Sequence, residues 1–189
     1  TVPATAAGVF TTNLFRAAPV LVSEEHIAAS GASGVRGVLF NSGQANACTG
    51  EQGRENCLRT LDMVSRALCE AGEEVSAESL LPASTGVIGA QMPMDKWAAV
   101  VPALAASLGK VDLEGLARAM MTTDAFPKMA GRELSLRGGT VLLAGVAKGA
   151  GMICPNMATM LSLVMCDAKV EPSAWRDMFR RAADATFNR

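Results

Sequence analysis

Histidine is nearly missing from this chain: His26 is the one example in 189 residues. A Ser-His-Asp or Cys-His catalytic device would have to depend on that residue alone. His26 closes the polar stretch Ser23-Glu24-Glu25-His26, which reads as a helix start with the imidazole in solvent. Cysteine is scarce and odd in number, with five residues (Cys48, Cys57, Cys69, Cys154, Cys166) and no CxxC pair. No metal-type spacing appears, so a metal site is not expected. The thiols read as reduced, as in a cytosolic protein, with several facing the core. Neither charge sign is in excess, with 17 basic and 18 acidic side chains, which argues against nucleic acid or an anionic membrane as a partner. No apolar run approaches the roughly 20 residues of a membrane span. No signal-peptide pattern opens the chain, and a cytoplasmic location is expected.

What is present suits a folded core. Half of the residues are hydrophobic, and the length is that of one ordinary domain or a large piece of one. Gly8–Thr12, Pro19–Ser23 and Gly37–Phe40 read as short strands, rich in β-branched and apolar residues between Gly, Asn and Pro. Arg54–Ala71 is the clearest helix, with Leu58, Leu61, Val64 and Leu68 at three- and four-residue steps and Gly72 as the stop. Leu80–Ser84 reads as a strand leading into Thr85-Gly86. Asp95–Leu108 has a helical pattern that Pro102 kinks or divides, and Leu113–Met121 continues as a further helix. Glu133–Leu136 and Thr140–Val146 make a hairpin through Arg137-Gly138-Gly139. Thr159–Cys166 reads as a buried strand. Pro172–Thr186 reads as an amphipathic helix, with Trp175, Met178, Phe179, Ala182 and Ala183 on one face. Mixed strands and helices in this order predict a layered α/β fold, with no repeat or linker.

The stretch with most chemistry is Val146-Ala-Lys-Gly-Ala-Gly-Met-Ile-Cys-Pro-Asn-Met-Ala-Thr-Met-Leu161. A Thr hydroxyl is a poor nucleophile at neutral pH. Cutting the bond before it would give the same residue an α-amine as a built-in base. The unperturbed pKa of such an amine is roughly 7.7–8.0, so part of it is neutral near pH 7. Ala158-Thr159 is therefore a candidate cleavage site and candidate nucleophile together. Gly149 and Gly151 would allow the backbone geometry that such an attack needs. Physics alone also reads the stretch as a strand preceded by a Gly-containing hairpin.

This stretch resembles the cleavage motif of the ornithine acetyltransferase family, also called the bifunctional glutamate N-acetyltransferase family of arginine biosynthesis. Val2-Pro-Ala-Thr-Ala-Ala-Gly-Val-Phe-Thr-Thr-Asn13, Asn41-Ser-Gly-Gln-Ala-Asn-Ala-Cys-Thr-Gly50 and Ala83-Ser-Thr-Gly-Val-Ile-Gly89 resemble the same family in the same order. Met121-Thr-Thr-Asp-Ala-Phe-Pro-Lys128 and Ala185-Thr-Phe-Asn-Arg189 do so too. The resemblance covers part of the family's length. It implies one partial domain over residues 1–189, with an α-chain region at 1–158 and the start of a β-chain region at 159–189.

The family's fold implies a layered α/β sandwich of sheets and helices with an N-terminal-nucleophile-type active site. By resemblance, Thr159 attacks the Ala158 carbonyl, the chain is cut, and Thr159 then carries acetyl from N-acetylornithine to glutamate in a ping-pong reaction. Thr85 and Gly86 correspond to the oxyanion hole; by themselves they are also an ordinary Ser-Thr-Gly turn. Lys148 and Thr122, with Thr159, correspond to substrate-binding positions. Lys148 would hold an α-carboxylate, and its plain alternative is a surface Lys in a loop. Thr123 competes with Thr122, and the Met-Thr-Thr-Asp stretch also reads as a helix end with Asp124 making a local backbone bond. Asn41–Gly50 is implied to lie near the site and also reads as a strand-to-helix connection shaped by Asn and Gly. Cys154 reads as packing. Thr1 is formally a rival nucleophile, but its neighbours match an internal family segment.

No metal or bound organic cofactor is implied, and acetyl-CoA enters only as a co-substrate that some family members use. The implied partners are the small molecules N-acetylornithine and glutamate, and the rest of the β-chain in an α/β hetero-oligomer. Two other readings stay open: a related self-cleaving amide or ester hydrolase, and a non-catalytic fragment that associates with its missing half.

Overall fold

The computed structural model describes residues 1–150 and 160–188. The described chain forms a mixed α/β fold with two small sheets. The elements run α1 (Ala18–Ala29), β1 (Gly37–Gln44), α2 (Gly50–Glu70), β2 (Leu80–Val87), α3 (Met94–Ala106), α4 (Leu113–Met120), β3 (Lys128–Leu136), β4 (Gly139–Lys148), β5 (Leu161–Cys166) and α5 (Pro172–Ala185). β1 and β2 pair in parallel across the α2 crossover, and β3, β4 and β5 form an antiparallel sheet in that order.

α2 follows from its periodicity. Cys57, Leu61, Val64 and Leu68 recur at three- and four-residue steps and are buried, while Leu58 is half-buried. The helix stops at Gly72, whose φ of +91° suits glycine. The amides of Gly72 and Glu73 close back on Cys69 and Leu68, each at 3.0 Å, which satisfies carbonyls the helix end would leave open. The buried face of α2 packs with Ala18 and Val22 of α1, Leu80 of β2 and Val101 of α3.

The region expected as a strand at Pro19–Ser23 belongs instead to helix α1. Pro19 sits in the first turn, where its missing N–H costs nothing. Val22, Ser23 and His26 form the stripe turned to β2. The Ser23 hydroxyl donates to the Pro82 carbonyl at 2.8 Å, and His26 Nδ1 bonds the Leu80 carbonyl at 2.8 Å. A carbonyl only accepts, so Nδ1 carries the proton. His26 is thus mid-helix and 8% exposed, a tie between helix and sheet and not a solvated side chain.

Residues 8–12 form no strand either. Backbone bonds join Ala4 to Val35 and Ala6 to Ala32, and the ladder goes no further. Elsewhere the expectations hold with shifted ends. α3 runs through Pro102 without dividing. The hairpin is longer than expected on the β3 side, and its loop is Arg137-Gly138, since Gly139 already pairs with Leu136. β5 is half-buried along most of its length. α5 is capped by the Glu171 carboxylate, which accepts from the amides of Ser173 and Ala174. Its Trp175 and Phe179 are half-buried and Ala183 is buried, whereas Met178 and Ala182 are exposed. Of the described cysteines, Cys57 is buried, Cys48 and Cys69 are exposed and Cys166 is intermediate, so fewer face the core than expected. Among the described residues, no helix is long and apolar enough to cross a membrane.

The two sheets meet through a second cluster. Phe40 of β1 packs with Ala117 and Met120 of α4, Val146 of β4, and Leu161 and Leu163 of β5. This contact brings the end of β4 beside the ends of β1 and β2.

Candidate active site

The alternation of β4 decides where its last side chain goes. Val146 and Lys148 lie on one face, with their cross-strand partners Leu163 and Leu161. That face is the one packed on α4, so Lys148 is carried inward and is only 6% exposed. It is not a surface Lys. Its ammonium donates to Thr85 Oγ1 at 2.9 Å and to Thr122 Oγ1 at 2.7 Å. None of the ion pairs among the described residues includes Lys148. Buried charges normally find an opposite charge. A cation held by two neutral hydroxyls has the charge to receive an anion.

Thr85 and Gly86 stand at the C-terminal end of β2, in register with Ser42 and Gly43 at the end of β1. The carboxyl ends of parallel strands are where α/β folds tend to bind ligands. Position 86 requires glycine. Its φ is +133°, and a Cβ there would lie 2.2 Å from the Gly43 carbonyl carbon and 2.5 Å from the Gln44 nitrogen. Thr85 and Gly86 therefore occupy a close-packed strand end in an irregular stretch of the ladder, where Gln44 pairs with both Val87 and Thr85.

Thr122 follows α4, whose last turn is tied to β1 by the Ser42 hydroxyl donating to the Ala119 carbonyl at 2.7 Å. The hydroxyl that meets Lys148 is that of Thr122 and not of Thr123. Asp124 does more than the local turn expected of it. Its carboxylate, 1% exposed, accepts from Lys128 Nζ at 2.6 Å, from the Gly149 amide at 2.8 Å and from the Thr122 amide at 3.4 Å. Burial pushes its pKa up, but the bonds from Lys128, Gly149 and Thr122 outweigh that and bring it down to about 2. Asp124 thus clamps the residue after Lys148 to the loop that carries Thr122. The four-residue step from Asp124 to Lys128 is a local signal that could have suggested that ion pair, whereas no local signal points to the bond to Gly149.

Of Asn41–Gly50, the first four residues end β1, with Ser42 and Gly43 in register with Thr85 and Gly86, and residues 45–49 form the strand-to-helix connection to α2. Asn46, fully buried at φ +50°, donates to the Gly53 carbonyl and accepts from the Thr49 hydroxyl. Thr159, Ala158, Gly151 and Cys154 lie outside the described residues. Met160, just after them, lines an apolar cavity of about 210 Å³ together with Phe10, Phe40, Leu81, Trp175 and Phe179. The Lys148 cluster is not part of the cavity lining, although Ser84, next to Thr85, is. Among the described residues, no group of His, Cys, Asp and Glu could hold a metal ion.

Proteins of known sequence and structure resemble this chain along most of its length. The chain is 60% identical over 187 residues to the arginine biosynthesis bifunctional protein ArgJ of Nitratidesulfovibrio vulgaris, covering 99% of this chain and 46% of that protein. It is 48% identical to the ArgJ of Thermosynechococcus vestitus, covering 99% of this chain and 43% of that one. The chain therefore spans less than half the length of these relatives. Its fold superposes on the crystal structure of Mycobacterium tuberculosis ornithine acetyltransferase complexed with ornithine, with a TM-score of 0.72, 38% identity, and coverage of 84% of this chain and 78% of that one. The ArgJ structure from Bacillus halodurans gives a TM-score of 0.70 at 32% identity, covering 85% of this chain and 78% of that one. The model of the ArgJ family matches residues 1–189 from end to end. The chain belongs to the ArgJ family.

Proposed function

We propose that this chain is part of an acetyltransferase of arginine biosynthesis that moves acetyl from N-acetylornithine to glutamate through an acetyl-enzyme on Thr159. The observation that carries this reading is the buried Lys148 ammonium, bonded to Thr85 and Thr122 and without a carboxylate partner among the described residues. N-acetylornithine and glutamate each bring an α-carboxylate that suits such a cation. The ornithine held by the Mycobacterium tuberculosis relative supports the same ligand class.

The chemistry then runs as follows. The Thr159 hydroxyl attacks the Ala158 carbonyl, the acyl group shifts from nitrogen to oxygen and so frees the Thr159 α-amine, and water then hydrolyses the ester to give the Ala158 carboxylate and the restored Thr159 hydroxyl. That amine takes the proton of its own hydroxyl as the oxygen attacks the acetyl carbonyl. The Thr85 hydroxyl and the Gly86 amide are the donors assigned to the developing oxyanion. Ornithine leaves as an amine, and the glutamate amine takes the acetyl group from the ester. The reaction needs no metal, and acetyl-CoA would be a co-substrate only. Two peptide units separate Thr159 from Leu161, the cross-strand partner of Lys148.

The partner assigned to this region is the remainder of the β-chain, in an α/β hetero-oligomer of the cytoplasm. Exposed Leu14, Phe15, Val87, Ile88 and Leu136 support a further covering chain. Intact-mass measurement of the full-length protein tests the reading. Two pieces, the second starting at Thr159, are expected, together with ornithine release that depends on glutamate. Thr159→Ala should leave one uncut piece with no transfer. Ornithine release indifferent to glutamate would mean a hydrolase, and an uncut, inactive full-length protein would mean a chain that only associates.

A further inference from the structure

We propose that Lys148 is a positioning residue for the oxyanion donor, acting through Thr85, in addition to any hold on substrate; this rests on the function proposed above. An ammonium has three N–H donors and no acceptor, whereas a Thr hydroxyl has one donor and two lone pairs. Where Lys148 Nζ meets Thr85 Oγ1 at 2.9 Å and Thr122 Oγ1 at 2.7 Å, the proton in each bond belongs to the ammonium. Each hydroxyl has thereby used a lone pair, and its own O–H is turned away from Lys148.

Two consequences follow for a ligand. Thr85 is presented as a hydrogen-bond donor, polarised by a cation behind it, which is the state an oxyanion needs. Thr122 is presented in the same way. The substrate group it meets is therefore an acceptor, a carboxylate or amide carbonyl oxygen, and not an N–H. The arrangement is rigid at its base. Lys148 is fixed by the β4 register, and the next residue, Gly149, is held by Asp124 on the Thr122 loop. The third ammonium N–H has no partner among the described residues and is left for the substrate carboxylate. One side chain then ties recognition of the carboxylate to orientation of the catalytic hydroxyl.

A double-mutant cycle in the full-length protein tests this, with ornithine release under saturating N-acetylornithine and glutamate as the readout. Thr85→Val should lower kcat by about 100- to 1,000-fold. Lys148→Met should lower kcat by about 10- to 100-fold, as expected for a charge-assisted hydrogen bond. The combined variant should be little worse than Thr85→Val alone. Independent, multiplying effects, or a Lys148→Met change confined to KM, would overturn the proposal. Lys148→Gln keeps a neutral donor on a shorter stem, so it should recover part of kcat while KM stays raised. This comparison is decisive even where Lys148→Met folds poorly, because a purely structural role predicts kcat and KM recovering together. Intact mass separates the two readings. Absence of an acetyl adduct on the piece beginning at Thr159 would remove the acetyl-enzyme, whereas the coupling between positions 85 and 148 is read from turnover alone.

Discussion

The Gly149 amide donates to the Asp124 carboxylate across 2.8 Å, so the residue after Lys148 is anchored to the loop that carries Thr122. The same carboxylate also holds Lys128, at the start of β3, which makes Asp124 a junction between the two edges of the candidate site.

That junction has a pH signature. The Asp124 carboxyl sits at about 2, below its ordinary value of 3.8. A depressed carboxylate contributes stability that is fully present above the unfolded-state value and lost as pH falls through the folded-state one. Asp124 should contribute about 2 kcal/mol at neutral pH, lost between about pH 4 and pH 2. Thermal melts of wild type and Asp124→Asn across that window check this. The gap between the two curves should be widest above pH 4 and close toward pH 2.

Gly86→Ala should be costly for two separate reasons. The added methyl would stand 2.2 Å from the Gly43 carbonyl carbon, and φ +133° disfavours any side chain. Displacing β1 from β2 should cost more than about 2 kcal/mol and abolish transfer. Urea unfolding together with an ornithine-release assay reads both effects. A variant with wild-type stability and turnover would show that glycine is not needed there.

His26 should matter for folding and not for chemistry. His26→Leu leaves the buried Leu80 carbonyl without its side-chain donor, at a cost of about 1–3 kcal/mol. Turnover at a temperature where the variant is folded should be unchanged, and its pH profile should match wild type. Loss of the activity-controlling pKa in this variant would give the histidine a catalytic role.

Cys57 should resist alkylation. Burial pushes its thiol up to about 12, with a small opposing pull from Arg54. Iodoacetamide at pH 8, followed by peptide mass analysis, should label the exposed Cys48 and Cys69 and spare Cys57 until the protein is denatured.

Elements with a local signature were legible from the residues. α2 shows both its stripe and its glycine stop. The β3–β4 hairpin shows two strand-like runs around Arg137-Gly138. The start of α1 reads as a strand in the sequence because Ala18-Pro-Val-Leu-Val22 is apolar throughout and has no period to separate helix from strand. Packing on β2 through Ser23 and His26 settled it. Residues 8–12 have strand-like composition, but a strand exists only where a neighbour offers a ladder.

The order of short motifs was enough to show the resemblance to the family, because each motif is a property of a few adjacent residues, and it is that resemblance, not composition or periodicity, that singles out Thr85, Gly86, Thr122 and Lys148. Their meeting in one place is another matter. Lys148 reaches Thr85 across 63 positions of chain and Thr122 across 26. Those contacts exist because strand register turns Lys148 inward and the packing of α4 brings the Thr122 loop beside the end of β2. Such long-range geometry is set by how whole elements bury their apolar faces together, and no window of sequence contains it.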